Sequence, residues 1–198
     1  MINERTLVVL KPDAIQRNLV GEILKRFENR GLKIVGMKMV VANEDMVFAH
    51  YNKDDAWFEK KGNGVIEDLK AAGETPEKEA IEYGKDIIRG LAKYMTAGPS
   101  IAIVYEGHRA LDVVRTMVGE TEPVNVDAGT IRGDYGIDSY ALCAVQGNRG
   151  LRNLIHASEN AEDYDFEIGV WFDESDLVKY THVLERILYD QEISGIVN

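Results

Sequence analysis

The 198-residue chain has a single cysteine, Cys143, too few to build a disulfide scaffold within itself, and such sparse use of cysteine fits a reducing compartment. A cytoplasmic location is the expectation. Long apolar runs are absent as well: nothing approaches the roughly 18 residues of a membrane span, and the short run at residues 7–10 falls far short of the core of a secretion signal. No membrane partner is expected. Positive charge is scarce, with 23 Lys and Arg against 34 Asp and Glu and a net charge of -11, which excludes the broad basic footprint of a DNA or RNA binder. A small nucleotide is not excluded, because the charge is unevenly placed. Residues 158–192 hold eleven acidic side chains against one Lys and one Arg, whereas residues 132–152 carry three Arg against two Asp, leaving room for a local basic pocket. Also missing are the phosphate loop G-x-x-x-x-G-K-[ST], the dinucleotide fingerprint G-x-G-x-x-G, and the metal-binding strings H-E-x-x-H and C-x-x-C. Any phosphate bound here must be held by side chains.

What is present is ordinary globular composition, 45% hydrophobic and 29% charged, in a chain long enough to bury roughly 70% of its unfolded surface. Residues 6–10 are apolar after the first and read as a buried strand that stops at Lys11-Pro12-Asp13, leaving polar groups at its carboxyl end. Val20, Ile23, Leu24 and Phe27 have the spacing of one helix face, and Gly31 supplies the stop. Val35, Met37, Met39 and Val41 alternate as in a strand with one covered face, and Asn43 is placed to cap a short helix running to about His50 and Tyr51. Residues 54–86 are charge-dense, with Gly62-Asn63-Gly64 and Gly73 read as breakers and Thr75-Pro76 as the cap and first residue of a helix. A surface helical excursion is expected there. A β-branched strand follows at residues 100–105, then a helix through Leu111, Val114 and Val118 closed by Gly119. Residues 120–135 lack periodicity and read as a long ordered loop, and residues 151–155 are too short to classify. Beyond residue 158, acidic helical turns alternate with apolar clusters at 168–172 and 187–189. Two strand–helix–strand halves in succession predict an α+β, ferredoxin-like βαββαβ antiparallel sheet with helices on one face, plus a helical insertion.

Four histidines occur, at positions 50, 108, 156 and 182, and His156 alone sits in an apolar stretch flanked by small polar residues. By pattern alone a satisfied, semi-buried histidine is the commoner outcome than a catalytic one. Glu167, eleven residues on, reads most simply as a solvated helix carboxylate, and Lys11 as a strand-end lysine. Arg115, three residues after Asp112, suits a surface ion pair; Arg132 suits a loop organiser, and Tyr51 a packing residue with a bonded hydroxyl.

Read in order, however, Glu4-Arg5-Thr6-Leu7, Lys11-Pro12-Asp13, Val20-Gly21-Glu22-Ile23, Lys93-Tyr94-Met95, Gly98-Pro99, Gly119-Glu120-Thr121, Gly129-Thr130-Ile131-Arg132-Gly133-Asp134, Asn153-Leu154-Ile155-His156-Ala157-Ser158 and Glu167-Ile168-Gly169-Val170-Trp171-Phe172 form a series. The series resembles the nucleoside diphosphate kinases over about residues 4–190, as a single domain spanning 1–198 with insertions at about 53–86 and 137–152. The resemblance implies Mg2+-dependent, ping-pong transfer of a γ-phosphoryl group from a nucleoside triphosphate such as ATP to a nucleoside diphosphate such as GDP, with broad base specificity. His156 matches the nucleophile, and a neutral imidazole suits the task, since it is available near neutral pH and forms a labile phosphoramidate. Glu167, directly or through Ser158, matches the carboxylate that orients the ring. Arg115, Thr121 and Arg132 match phosphate-binding positions, Lys11 and Asn153 the residues reaching the ribose hydroxyl, with Lys11 also assisting the transferring phosphate, and Tyr51 a hydroxyl near the γ-phosphate. Magnesium is expected mainly on phosphate oxygens and water, with Glu159 at most an outer-shell ligand. For the base, Ile87 falls where an aromatic is usual and Phe58 is the substitute, while Ala128 stands where the family commonly has proline. The resemblance further implies a homo-oligomer, dimers built into tetramers or hexamers. A nucleotide-binding regulatory module with impaired turnover is the alternative.

Overall fold

In the computed structural model, which describes residues 3–71, 73–147 and 149–190, four strands form one sheet: β1 (Glu4–Leu10), β2 (Lys33–Val41), β3 (Pro99–Gly107) and β4 (Ile155–Ala157). Their order is β2-β3-β1-β4, and every neighbouring pair is antiparallel. With α2 (Val20–Asn29) between β1 and β2 and α6 (Ala110–Val118) between β3 and β4, this is the predicted ferredoxin-like βαββαβ arrangement. Gly31 at φ +87 and Gly119 at φ +84 end those two helices in the left-handed region that favours glycine, as their spacing predicted.

The expectation of helices on one face is corrected. On one side Val8 and Leu10 pack with Ala14 of α1 (Pro12–Gln16), Ile23 and Phe27 of α2, Val114 of α6 and Ile131 of α7 (Ile131–Tyr135). On the other, Leu7 and Val9 pack with Val47 of α3 (Glu44–His50), Ala92 and Met95 of α5 (Ala80–Met95), and Trp171 of α9 (Ala161–Trp171). Successive strand residues point to opposite faces, so an unbroken apolar run such as Leu7-Val8-Val9-Leu10 demands cover on both. Each of the Val, Leu, Ile, Phe and Met side chains among these contributes roughly 1.5–3 kcal/mol.

Three further readings change. Gly62-Asn63-Gly64 lies inside α4 (Asp55–Ala71) rather than breaking it. A Cβ at Gly62 would strike the Ala80 backbone, and one at Gly84 would strike that of Phe58, so these glycines let α4 and α5 cross closely. Thr75-Pro76 does not start a helix; α5 begins at Ala80 after Glu79. Residues 120–135 are more ordered than a loop, holding a 3-10 turn at Pro123–Asn125 and then α7, whose cap Thr130 accepts from the Gly133 N–H. Asn43 does cap α3, accepting from Met46 N–H at 2.8 Å. The unclassified stretch leads into β4.

The described residues of 137–152 hold α8 (Tyr140–Val145) and an ion pair of buried Asp138 with half-buried Arg149 at 2.6 Å. Burial opposes the charge on Asp138, but hydrogen bonds from Arg149 and the Arg152 backbone hold its carboxyl at about 2. Arg149 is therefore matched. After α9, residues 174–190 run back along the start of β2, where Val178 N–H donates to the Val35 carbonyl at 2.7 Å. They end in α10 (Leu184–Tyr189).

Candidate active site

The candidate site gathers at the carboxyl end of β1 and along β4. His156 lies opposite Val9 in the register, so its side chain shares the face on which α3 and α9 pack, while Ile155 and Ala157 turn to the other side. On α9, capped by Asn160, Glu167 and Trp171 are four residues apart and both buried, which puts them on the helix face turned toward the sheet. Glu167 Oε2 lies 3.0 Å from His156 Nε2 and accepts from Ser158 Oγ at 2.6 Å. A carboxylate only accepts, so the imidazole carries its proton on Nε2 and keeps the lone pair on Nδ1. Burial, reinforced by the charges of Lys11, Arg132 and Lys53, holds His156 well below the usual histidine range and hence neutral; burial pushes Glu167 upward.

Cations surround this ring without carboxylate partners among the described residues. Lys11 is buried directly after β1, and its Nζ donates to Asn153 Oδ1 at 2.8 Å; burial and then Arg132 push it down to about 7. Arg132, on α7, donates from Nη1 to the Gly119 carbonyl at 2.8 Å and from Nη2 to the Ile155 carbonyl at 2.7 Å, and its buried Nε has no partner among the described residues. Burial lowers its guanidinium to about 10, still fully charged at neutral pH. Asn153 completes the link by donating from Nδ2 to the Thr121 carbonyl at 3.0 Å. The turn that aims Asn153 runs through Leu154 at φ +67, a left-handed conformation costing a side-chain-bearing residue roughly 1–2 kcal/mol. The Leu154 carbonyl in turn accepts from Lys11 N–H at 2.8 Å.

Arg115 corrects the surface-pair reading: Asp112 pairs with Arg109, and exposed Arg115 instead donates to the Glu159 carbonyl at 2.8 Å, beside Ser158. Tyr51 packs edge-on to His156 at 5.9 Å between ring centres; its hydroxyl is buried without a partner among the described residues, and burial pushes it far up. Lys11, Tyr51, Arg115, Thr121, Arg132, Asn153, His156, Ser158 and Glu167 thus form one neighbourhood. The contacts that knit it do not reach Phe58 and Ile87, which lie half-buried on the α4–α5 hairpin, the ring of Phe58 against Trp57.

Two groups of neighbours were invisible to the sequence reading. His50, at the end of α3, packs edge-on against His156 with ring centres 4.3 Å apart, and its Nδ1 accepts from Trp171 Nε1 at 3.1 Å. The one available signal was the buried indole, whose N–H needs an acceptor. Tyr94 donates to Asp13, and Lys11 stands over the Tyr94 ring at 5.5 Å, so the Lys93-Tyr94-Met95 and Lys11-Pro12-Asp13 strings meet in space.

Comparisons with known proteins point to one family. A family model described as nucleoside diphosphate kinase matches residues 4–88 and 80–177. A nucleoside diphosphate kinase of Pyrobaculum aerophilum is 42% identical over 181 residues, 89% of this chain and 98% of that relative. A crystal structure of an NDP kinase from the same organism matches at a TM-score of 0.84 and 40% identity, covering 89% of this chain and all of the other. Nucleoside diphosphate kinase A of Homo sapiens is 37% identical over 187 residues, 94% of this chain and 97% of the relative. The Borrelia burgdorferi enzyme, solved as a transition-state mimic with bound vanadate and ADP, matches at a TM-score of 0.76 and 29% identity over 94% of this chain and 97% of its own.

Proposed function

This chain belongs to the nucleoside diphosphate kinase family and carries out that family's phosphoryl transfer between nucleotides, and from that premise we propose that the group passes through Nδ1 of His156. One observation carries the assignment: Nε2 is committed to Glu167 at 3.0 Å, which leaves Nδ1 with a free lone pair among cations that have no carboxylate of their own among the described residues. The Nδ1 lone pair forms a bond to the γ-phosphorus as the bond from that phosphorus to the β–γ bridging oxygen breaks, releasing the nucleoside diphosphate. The ring becomes positively charged, and Glu167, itself fixed by Ser158, stabilises it through Nε2–H without taking the proton. A terminal oxygen of a second nucleoside diphosphate then attacks the same phosphorus, and the imidazole leaves neutral.

Arg132, Arg115 and Lys11 meet the phosphate oxygens, with Thr121 and the Tyr51 hydroxyl as further donors; Lys11 and Asn153 reach the ribose hydroxyl. The site fits a Mg2+ ion brought in on the nucleotide: the buried carboxylate is committed to His156 and Ser158, and exposed Glu159 is the residue placed to reach such an ion through water. When bound, that ion neutralises charge on the β- and γ-phosphate oxygens. Base specificity is broad because sugar and phosphates meet the polar side chains, while Phe58 and Ile87 are the apolar candidates for the base.

The chain functions as a single domain, 1–198, in which 53–86 and 137–152 are insertions, the first forming α4 and the start of α5 and the second α8. It assembles as a homo-oligomer, a reading supported by edge strand β2, which presents exposed Met37, Met39 and Val41. A cytoplasmic setting fits the free, buried Cys143, and no helix among the described residues is long and apolar enough to cross a membrane.

Incubation with γ-labelled ATP tests the central assignment. The wild-type chain takes up acid-labile, alkali-stable label and passes it to GDP, and His156→Ala takes up none. Label retained by His156→Ala overturns it.

A further inference from the structure

The reaction as described uses one histidine, yet a second imidazole is built against it. His50 is 3% exposed at the last position of α3, and its ring centre lies 4.3 Å from that of His156 with the planes 80° apart. Tyr51 packs edge-on against the His50 ring as well, 4.4 Å away at 78°. The ring cannot choose its tautomer: Trp171 Nε1 is a donor only, and it points at His50 Nδ1 from 3.1 Å, so that nitrogen holds a lone pair and Nε2 holds the proton. That Nε2 is buried with no partner among the described residues. An orphaned donor beside the reacting ring is a costly feature that packing alone does not call for, since a phenyl ring fills comparable space.

Trp171 and Glu167 occupy one face of α9, one turn apart. The same helix therefore fixes both imidazoles, His156 through Glu167 and His50 through Trp171. We propose that His50 is a positioning residue: locked by Trp171 as the Nε2–H tautomer, it braces the His156 ring edge-on so that Nδ1 stays aimed at the incoming phosphorus. This rests on the reading of His156 as the nucleophile.

The groups facing His50 favour the neutral ring the brace requires. Burial acts first, then His156 beside it; Lys11 after β1 and Lys53 after α3 act in the same direction, and Glu167 of α9 opposes them. A charged His50 would place a cation against the nucleophile and draw down its lone pair. The Trp171 N–H guards against this by occupying the nitrogen that would take the proton.

The test combines spectroscopy on the wild-type chain with rapid-quench labelling of variants. Nitrogen-15 spectra of histidine-labelled protein show His50 protonated on Nε2 alone and not titrating between about pH 5.5 and 8. His50→Ala lowers the rate of phosphohistidine formation at saturating ATP by about tenfold or more, with apparent nucleotide affinity within about twofold. Trp171→Phe keeps an aromatic ring but frees Nδ1: His50 then shows mixed tautomers and charges more easily, and the labelling rate falls on the acid side while approaching wild type above about pH 8. A merely structural role predicts a pH-independent loss. Three results overturn the proposal: a wild-type His50 carrying its proton on Nδ1, wild-type labelling rates in His50→Ala, or a Trp171→Phe defect that is equal at every pH. A wild-type chain that takes no label overturns instead the reading of His156, and the two failures are thereby distinct.

Discussion

Two regions of this molecule bury positive charge, and they treat it in opposite ways. At the start of β2, Lys33 Nζ meets Glu106 at 2.7 Å and Glu185 at 2.9 Å, and Arg5 meets the other oxygen of Glu106 at 2.8 Å. Burial works against that carboxylate, but hydrogen bonds from Lys33 and Arg5 still hold Glu106 below the usual range. Beyond the carboxyl end of β1, Lys11 and Arg132 are more deeply buried and receive only an amide oxygen and backbone carbonyls; among the described residues neither has an ion-pair partner. A matched cluster closes a structure, whereas an unmatched one is complementary to an anion that arrives later. Substitutions in the two regions should therefore separate stability from activity.

The largest effect is expected at Arg132. Arg132→Ala removes a preformed fork from the charge that develops on the transferring phosphoryl group, and kcat/KM for ATP falls by about 100- to 1,000-fold, roughly 3–4 kcal/mol. Steady-state kinetics checks this, and a loss under tenfold contradicts the placement of the guanidinium at the phosphate. Glu106→Gln acts on the matched cluster and reverses the pattern. It leaves Arg5 and Lys33 partly buried without their shared carboxylate and destabilises by about 2 kcal/mol, discounted from the fully buried case because both cations retain some solvent. Denaturant titration shows the loss, and phosphohistidine formation stays at the wild-type rate.

The same contrast explains what could be read from the residues in order. Matched, local features were legible: the face of α2, the glycine stops at positions 31 and 119, the Asn43 cap and the strand at β3 each follow from side-chain spacing. Features that depend on a distant backbone were not. Gly62-Asn63-Gly64 has the composition of a turn, and only the crossing of α5 at Ala80 makes it a helical notch. The run at residues 7–10 was legible as buried, and its four consecutive core side chains already required two covered faces, which a one-face sandwich contradicts. In the site, the motif strings supplied the residue identities but not their partners. Asp112 was available three residues before Arg115, yet the guanidinium turns to Glu159 instead. His50 looked like any helix-end histidine because its partner, Trp171, is 121 residues away.

The smallest predicted change in stability is also the most diagnostic, because it runs against the usual direction of core substitutions. Lys11→Met replaces an unmatched buried ammonium by an apolar chain of similar length. In the nucleotide-free protein it stabilises by about 1–2 kcal/mol, as removal of uncompensated buried charge does, while kcat/KM collapses. The pH dependence fixes the cause. Burial has lowered Lys11 from 10.5 to about 7, so below pH 7 both the folded and the unfolded chain hold the proton and the folded state carries the full burial penalty. Between about pH 7 and 10.5 the unfolded chain still holds that proton and the folded one has released it, so wild-type stability rises with pH and the advantage of methionine shrinks. Denaturant midpoints at about pH 6 and pH 9 should differ between the two proteins most at the lower value. Binding reports the same group with the opposite sense: an arriving phosphate restores the charge, so above pH 7 the wild-type protein takes up a proton when it binds a nucleoside diphosphate and Lys11→Met does not. Calorimetry in buffers of different ionisation enthalpy measures that uptake directly. Equal uptake by both proteins would assign the proton to another group and remove Lys11 from the phosphate site.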